Sequence, residues 1–150
     1  MAKEIVESED LRRIADIVIR ENGLEVNLAK VGYCLVAPNI SKRVAGRCIR
    51  TGAELKHFSE YDFLIEMSSD LWSKLDDDRK KILMLHELLH IDISTHPKSG
   101  DLIFKIKDHD IQDFRYVVKK YGPDWISDLN TINSSLYDID PDNDPGYINL

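Results

Sequence analysis

Five consecutive residues near the middle of the chain, His86-Glu87-Leu88-Leu89-His90, have the types and the spacing of a metal-dependent hydrolase motif. In an α-helix, residues four apart lie on one face, so both imidazoles can bind the same metal ion. Glu87 follows the first histidine, where its carboxylate can reach a water molecule on that ion. The pattern predicts a zinc site that hydrolyses peptide bonds, with His86 and His90 as metal ligands and Glu87 as the general base.

A third zinc ligand must come from elsewhere, because a catalytic zinc takes three protein ligands and one water molecule. The sequence contains no glutamate after Glu87, which excludes a downstream glutamate ligand. His96 has the spacing of the long HExxHxxGxxH motif, but Ile93 stands where that motif needs glycine. His109 is the preferred third ligand, since it stands at the start of a predicted helix that could direct its ring inward. The alternatives that remain are His96, Asp110 and Asp113.

The elements that must position these residues follow from periodicity and from turn residues. Apolar residues at helical spacing predict a helix over residues 8–21, with Ser8 as its N-cap and Gly23 as its end. Runs rich in β-branched and aromatic residues predict strands at 33–36, 43–49 and 61–67. A short helix is predicted at 69–75, the motif helix at 79–91, a loop after His90 and a last helix at 110–121.

This order of elements predicts an α+β fold of the minimal zincin type. It comprises an N-terminal helix, a small three-stranded sheet, the HExxH helix and a further C-terminal helix. We expect one domain at residues 1–125, followed by an acidic and flexible tail at 126–150, because the last 29 residues hold six Asp and no Lys or Arg. An EF-hand loop in the tail is excluded, since Pro145 stands where a loop starting at Asp140 needs glycine.

The overall composition is that of an ordinary globular protein. The 150 residues carry a net charge of −7, which disfavours nonspecific binding of nucleic acid over the whole surface. The N-terminal residues lack the apolar segment of a signal peptide, and no run is long enough to span a membrane. Cys34 and Cys48 are therefore expected to be reduced thiols, and the expected location is the cytoplasm.

Beyond the motif, the chain resembles the family of phage metallopeptidase domains over roughly residues 10–122. The resemblance lies in four pieces: residues 61–65 before the motif helix, the motif itself, His109-Asp110 with Asp113-Phe114, and Tyr121-Gly122. In that family a histidine–aspartate pair opens the helix after the HExxH helix, so the resemblance also favours His109 as the third ligand. It implies a phage- or prophage-encoded zincin that would act in the host cytoplasm.

A looser resemblance connects the chain to the SprT-like and WLM-type minimal metallopeptidases. WLM-type sites place their third histidine at the spacing of His96, which keeps that residue as the reserve ligand.

Two kinds of partner follow from other segments. In zincin folds, a strand before the motif helix commonly binds an extended peptide by strand addition, and here the strand at 61–67 is the candidate. Residues 42–56 hold five basic side chains against one glutamate, a local charge of +4 that could hold nucleic-acid phosphates. The alternative to an enzyme is thus a non-catalytic, metal-stabilised binding module, recruited to nucleic acid through residues 42–56. No membrane partner is expected.

Overall fold

The computed structural model describes residues 2–109, residues 114–137 and residue 150. Within these residues the chain forms a mixed α+β fold, as predicted, with a four-stranded sheet and a separate two-stranded sheet. In chain order the elements are β1 (Glu4–Glu7), α1 (Glu9–Asn22), β2 (Val31–Ala37), β3 (Gly46–Arg50), α2 (Ala53–Ser59), β4 (Phe63–Ser68), α3 (Ser69–Lys74), α4 (Asp77–Leu88), β5 (Ile91–Thr95), β6 (Leu102–Ile106), α5 (Arg115–Tyr121) and α6 (Trp125–Tyr137).

The larger sheet has the strand order β1-β2-β4-β3. β2 and β4 are parallel, while β1 and β3 are antiparallel to the strands beside them. Phe63, Ile65 and Met67 alternate along β4 and are fully buried, because they face the core that α1 and α4 cover. The sheet therefore contains the three predicted strands and one more, β1. All four residues of β1 are exposed, so the strand lacks the alternation that would have predicted it.

The interior position of β4 contradicts the predicted peptide-binding role of residues 61–67. β4 is hydrogen-bonded to β2 on one side and to β3 on the other, so it has no free edge to which a peptide strand could be added. The sequence pattern identified a strand correctly but carried no information about its neighbours.

The first helix is capped by the two predicted residues, Ser8 and Gly23, and spans Glu9–Asn22, one residue later at each end than predicted. The hydroxyl of Ser8 accepts a hydrogen bond from the backbone N–H of Leu11 at 3.2 Å, which caps the N-terminus of α1. Gly23 ends the helix with a φ of 60°, a left-handed conformation that favours glycine. The buried face of α1 packs against α4 and the sheet, so these local signals place the helix that supports the motif.

The segment after the motif helix differs from the prediction. α4 ends at Leu88 rather than at residue 91, and the predicted loop contains the hairpin of β5 and β6. Two backbone hydrogen bonds close its turn, one from the N–H of His96 to the carbonyl of Asp101 at 2.8 Å and one from the N–H of Gly100 to the carbonyl of His96 at 3.0 Å. The hairpin is short and mostly exposed, which explains why its pattern was weak.

The C-terminal part also differs from the predicted boundary at 125. Residues 126–137, assigned to a flexible tail, belong to α6, and Leu129 and Asn133 of this helix are buried. The net acidity of the segment concealed its helical spacing of apolar residues. Residues 138–149 of the predicted tail lie outside the described residues, as do residues 110–113 at the start of the predicted last helix.

Cys34 and Cys48 are free thiols, as predicted. In the described part of the chain, no helix combines the length and the apolar character that crossing a bilayer requires.

The burial of α6 predicts the effect of one core substitution. Leu129 is 2% exposed, so Leu129→Ala should lower the free energy of unfolding by about 2–4 kcal/mol. Urea denaturation followed by circular dichroism measures this change, with Ser127→Ala, at an exposed position of the same helix, as the matched control. Equal unfolding midpoints for Leu129→Ala and the parent would show that α6 is not part of the core.

Candidate metal centre

The two motif histidines lie next to each other at the C-terminal end of α4. The N–H of Leu89 still makes an α-helical hydrogen bond to the carbonyl of Leu85 at 3.0 Å. The next turn is tighter, because the N–H of His90 donates to the carbonyl of Glu87, three residues back, at 3.2 Å. The ring centroids of His86 and His90 are 5.2 Å apart. The motif therefore spans a helix end, with its first histidine in the last turn and its second just beyond it.

His109 completes a cluster of three imidazoles. Its Nε2 atom lies 2.8 Å from Nε2 of His86 and 2.9 Å from Nε2 of His90. One ligand atom from each ring lies within 4.8 Å of the other two. His109 follows β6 rather than standing within a described helix, so the hairpin carries it back to the end of α4. The structure thus brings together the three histidines that the sequence favoured.

A pair of backbone contacts orients His90. Its Nδ1 atom lies 2.7 Å from the carbonyl oxygen of Lys107, and the N–H of Lys107 donates to the carbonyl of His90, also at 2.7 Å. Since a carbonyl only accepts, Nδ1 must carry the proton, which leaves the lone pair of Nε2 directed into the cluster. Such an outer contact is typical of metal-binding histidines.

The protonation state of His90 also suits a metal ligand. Burial, together with the neighbouring histidines, lowers the pKa of His90 to about 4, although the carbonyl of Lys107 acts in the opposite direction. His90 is therefore neutral near pH 7, the form in which imidazole binds a metal.

The convergence of the three rings fits a metal ion. One Nε2 atom of His109 carries at most one hydrogen, so it cannot donate to both neighbours at once. Two nitrogens that are each about 2.0–2.1 Å from a tetrahedral zinc lie roughly 3.3 Å apart. The pairs at 2.8 and 2.9 Å would need to open by only roughly 0.5 Å to admit the ion. Three buried or half-buried imidazoles are also a donor set that zinc prefers.

Glu87 lies beside this cluster and is fully buried. Its Oε1 atom is 3.8 Å from Nε2 of His90. Gly46 of β3 lies close by, because a Cβ atom there would come within 3.6 Å of Cγ of Glu87 and 2.5 Å of Sδ of Met67. Burial and, to a lesser extent, the charge of Glu87 raise the pKa of Cys48 well above its usual range. β3 therefore forms the wall on the side of the glutamate, and its cysteine is a neutral thiol.

Two aromatic side chains form a second wall, and the sequence did not predict that either would lie beside the histidines. The ring centroid of Phe114 lies 5.4 Å from His86, 5.0 Å from His90 and 5.4 Å from His109. Trp125, the first residue of α6, lies 5.8 Å from His86. Both aromatic residues are buried, so they keep water from the outer side of the cluster. Trp125 could have been recognised from its helical spacing to Leu129, had the segment not been assigned to a tail.

The other candidate residues lie elsewhere. His96 is exposed in the hairpin turn, where its Nδ1 atom accepts hydrogen bonds from the N–H groups of Lys98 at 3.1 Å and Ser99 at 3.2 Å. Asp110 and Asp113 lie outside the described residues.

In the basic segment 42–56, Arg47 pairs with Glu66 at 2.8 Å and Lys56 with Asp62 at 2.7 Å. At least two of its five cations are thus bound to carboxylates of the same chain.

Comparison with known proteins adds one family. A family model described as "Putative phage metallopeptidase" matches residues 3–136, which includes all three histidines, the glutamate and most of α6. No curated protein and no solved structure matches the chain.

The cluster predicts which histidines are needed to bind a metal. His86→Ala, His90→Ala and His109→Ala should each lower the affinity for zinc by at least about tenfold, since each removes one of three ligands. Zinc content after dialysis, measured by atomic emission, checks this, with His96→Ala as the matched control that should retain one zinc per chain. Loss of zinc in His96→Ala with retention in His109→Ala would reverse the assignment of the third ligand.

Proposed function

This chain belongs to the phage metallopeptidase family, and on that premise we propose that it is a zinc-dependent peptidase. In this proposal His86, His90 and His109 hold the zinc and Glu87 is the general base. The observation that carries it is the approach of three Nε2 atoms in one cluster, with a buried carboxylate 3.8 Å from one of them. The family membership supports a phage or prophage origin.

Zinc fits the cluster better than a hard cation does, because its three donors are all imidazole nitrogens. When bound, zinc polarises the substrate carbonyl and lowers the pKa of a water molecule toward neutrality. Three protein ligands leave a coordination position for that water, whereas a structural zinc site takes four.

Glu87 is suited to proton transfer by its position and its burial. It would take a proton from the attacking water and later deliver the same proton to the amine released from the peptide bond. Gly46 allows β3 to approach the glutamate closely, and Phe114 closes the side of the cluster that faces the C-terminal helices. The protein thus supplies a positioned base and excludes competing water.

The unpaired edge of β3 is our proposed place for the substrate backbone. Within the described strands, β3 pairs with β4 on one side only. The N–H of Thr51 donates to the carbonyl of Asp62, and that of Ser68 donates to the carbonyl of Ala45. By the alternation of an antiparallel pair, the backbone groups of residues 46, 48 and 50 therefore point away from β4. An extended peptide could pair with these groups beside Glu87.

A non-catalytic binding module is the competing function. It requires a metal but gives no role to a buried carboxylate beside the metal ligands. Recruitment to nucleic acid through residues 42–56 stays a prediction from the sequence. The ion pairs of Arg47 and Lys56 reduce the positive charge that this segment can present to phosphates. Cytoplasmic location also stays a prediction.

Glu87→Gln separates the two functions. The substitution keeps the shape of the side chain but removes the base, so it should lower the rate of peptide hydrolysis by about 10²–10⁴-fold while zinc content stays at the parental level. Cleavage of a proteome-derived peptide library, followed by mass spectrometry, measures the rate without assuming a substrate. Glu54→Gln, at an exposed position on α2, is the matched control and should cleave like the parent. Equal cleavage rates for Glu87→Gln and the parent would show that Glu87 is not the general base.

A further inference from the structure

A cavity of about 370 Å³ lies where the end of β3, the start of α2 and strand β6 meet. Its polar lining comes from Arg50, Thr51, Lys56 and Asp62, and Leu102 and Phe104 contribute apolar surface. The size is sufficient for one amino-acid side chain, and the mixture of charged and apolar walls is typical of a site with a defined ligand.

The cavity carries an excess of positive charge. Lys56 and Asp62 compensate each other through an ion pair of 2.7 Å, and the other carboxylate oxygen of Asp62 accepts a hydrogen bond from the N–H of Lys30 at 2.8 Å. Arg50 is exposed, and within residues 2–109 and 114–137 its guanidinium forms no ion pair or hydrogen bond. A guanidinium in this position presents a planar set of donors that matches a carboxylate.

The apolar part of the cavity is held in place by aromatic contacts. The ring of Phe104 packs edge-on against Phe63, with centroids 5.8 Å apart, and Phe63 is fully buried in the core. Nζ of Lys56 lies 5.4 Å from the centroid of the same Phe104 ring. This surface could receive the methylene groups of a side chain whose charged end reaches Arg50.

Two strands connect the cavity with the histidine cluster. Residues 46, 48 and 50 lie on one face of β3, and at Gly46 this face is the one directed at Glu87. Arg50 is four residues beyond Gly46 along the same strand. On β6, Phe104 is three residues from Lys107, which contacts His90. At about 3.3 Å per residue, the cavity is thus roughly 10–13 Å from Lys107 and Gly46, which lie beside His90 and Glu87.

We infer that this cavity is a specificity site that binds the carboxylate side chain of a substrate residue, three or four positions from the cleaved bond, with Arg50 as its main cation. The inference rests on the proposed peptidase function for the position of the cleaved bond. Binding of the carboxylate itself does not require cleavage, so the two can be tested separately.

The test uses peptides that differ in one charge. The zinc-loaded Glu87→Gln protein is titrated with three pools of seven-residue alanine-based peptides. In the first pool, one Glu is placed at each position in turn and both termini are blocked. The second pool has Gln in place of Glu, and the third is the Gln pool with a free C-terminal carboxylate. At low salt the Glu pool should bind about three- to tenfold more tightly than the Gln pool. Arg50→Gln should abolish this difference, and Arg50→Lys should retain part of it because the charge remains without the paired donors.

Lys105→Gln is the matched control, since Lys105 is an exposed cation on β6 outside the cavity, and it should retain the preference for Glu. Equal binding of the Glu and Gln pools, including no binding of either, overturns the inference, as does a preference that survives Arg50→Gln. Tighter binding of the free-carboxylate pool alone would assign the cavity to a peptide C-terminus and overturn the side-chain assignment. Absence of cleavage by the parent protein would refute the proposed function while leaving the Arg50-dependent binding result intact.

Discussion

Two hydrogen bonds between His90 and Lys107, one made by the His90 ring and one by its backbone carbonyl, are the contacts on which the candidate site depends. Each measures 2.7 Å, and together they fasten the end of the motif helix to the chain leaving the hairpin. One of them fixes the tautomer of His90, and both place His109, two residues beyond Lys107, within reach of the other rings. Because the contacts on the Lys107 side come from the backbone, they depend on the path of β5 and β6 rather than on a particular side chain.

Burial gives the cluster its chemical character. His86 and Glu87 are fully buried, an arrangement that is costly for polar groups unless they bind a partner. The sheet supplies one wall through β3, and the two C-terminal helices supply another through Phe114 and Trp125. A cation among the rings would compensate for the loss of water around them, which is the physical argument for a metal in this position. The same walls would limit access of bulk water to Glu87.

Local signals predicted much of the fold, and non-local features account for the remainder. Ser8 and Gly23 act within one helical turn of themselves, so the bounds of α1 could be read from the sequence. The residue type of His109 and the family resemblance both favoured it as the third ligand beside His86 and His90. The hairpin of β5 and β6, which places His109 there, was not predicted. The interior place of β4 depends on pairing with residues far away in sequence, which no local pattern contains. α6 was not predicted because its acidic residues suggest a solvated tail, while only Trp125 and Leu129 mark its apolar face clearly.

The position of β1 at the side of the sheet opposite β3 has a consequence for association between molecules. Its outer edge is unpaired among the described strands, and Ile5 and Val6 are exposed on it, features that favour aggregation through strand pairing. Glu4 and Glu7 bracket these two apolar residues. In an antiparallel pairing of two β1 strands that sets Ile5 against Val6, each Glu4 would face a Glu7, so like charges would oppose each other in both flanking pairs. The two glutamates therefore act as gatekeepers that oppose self-association of this edge.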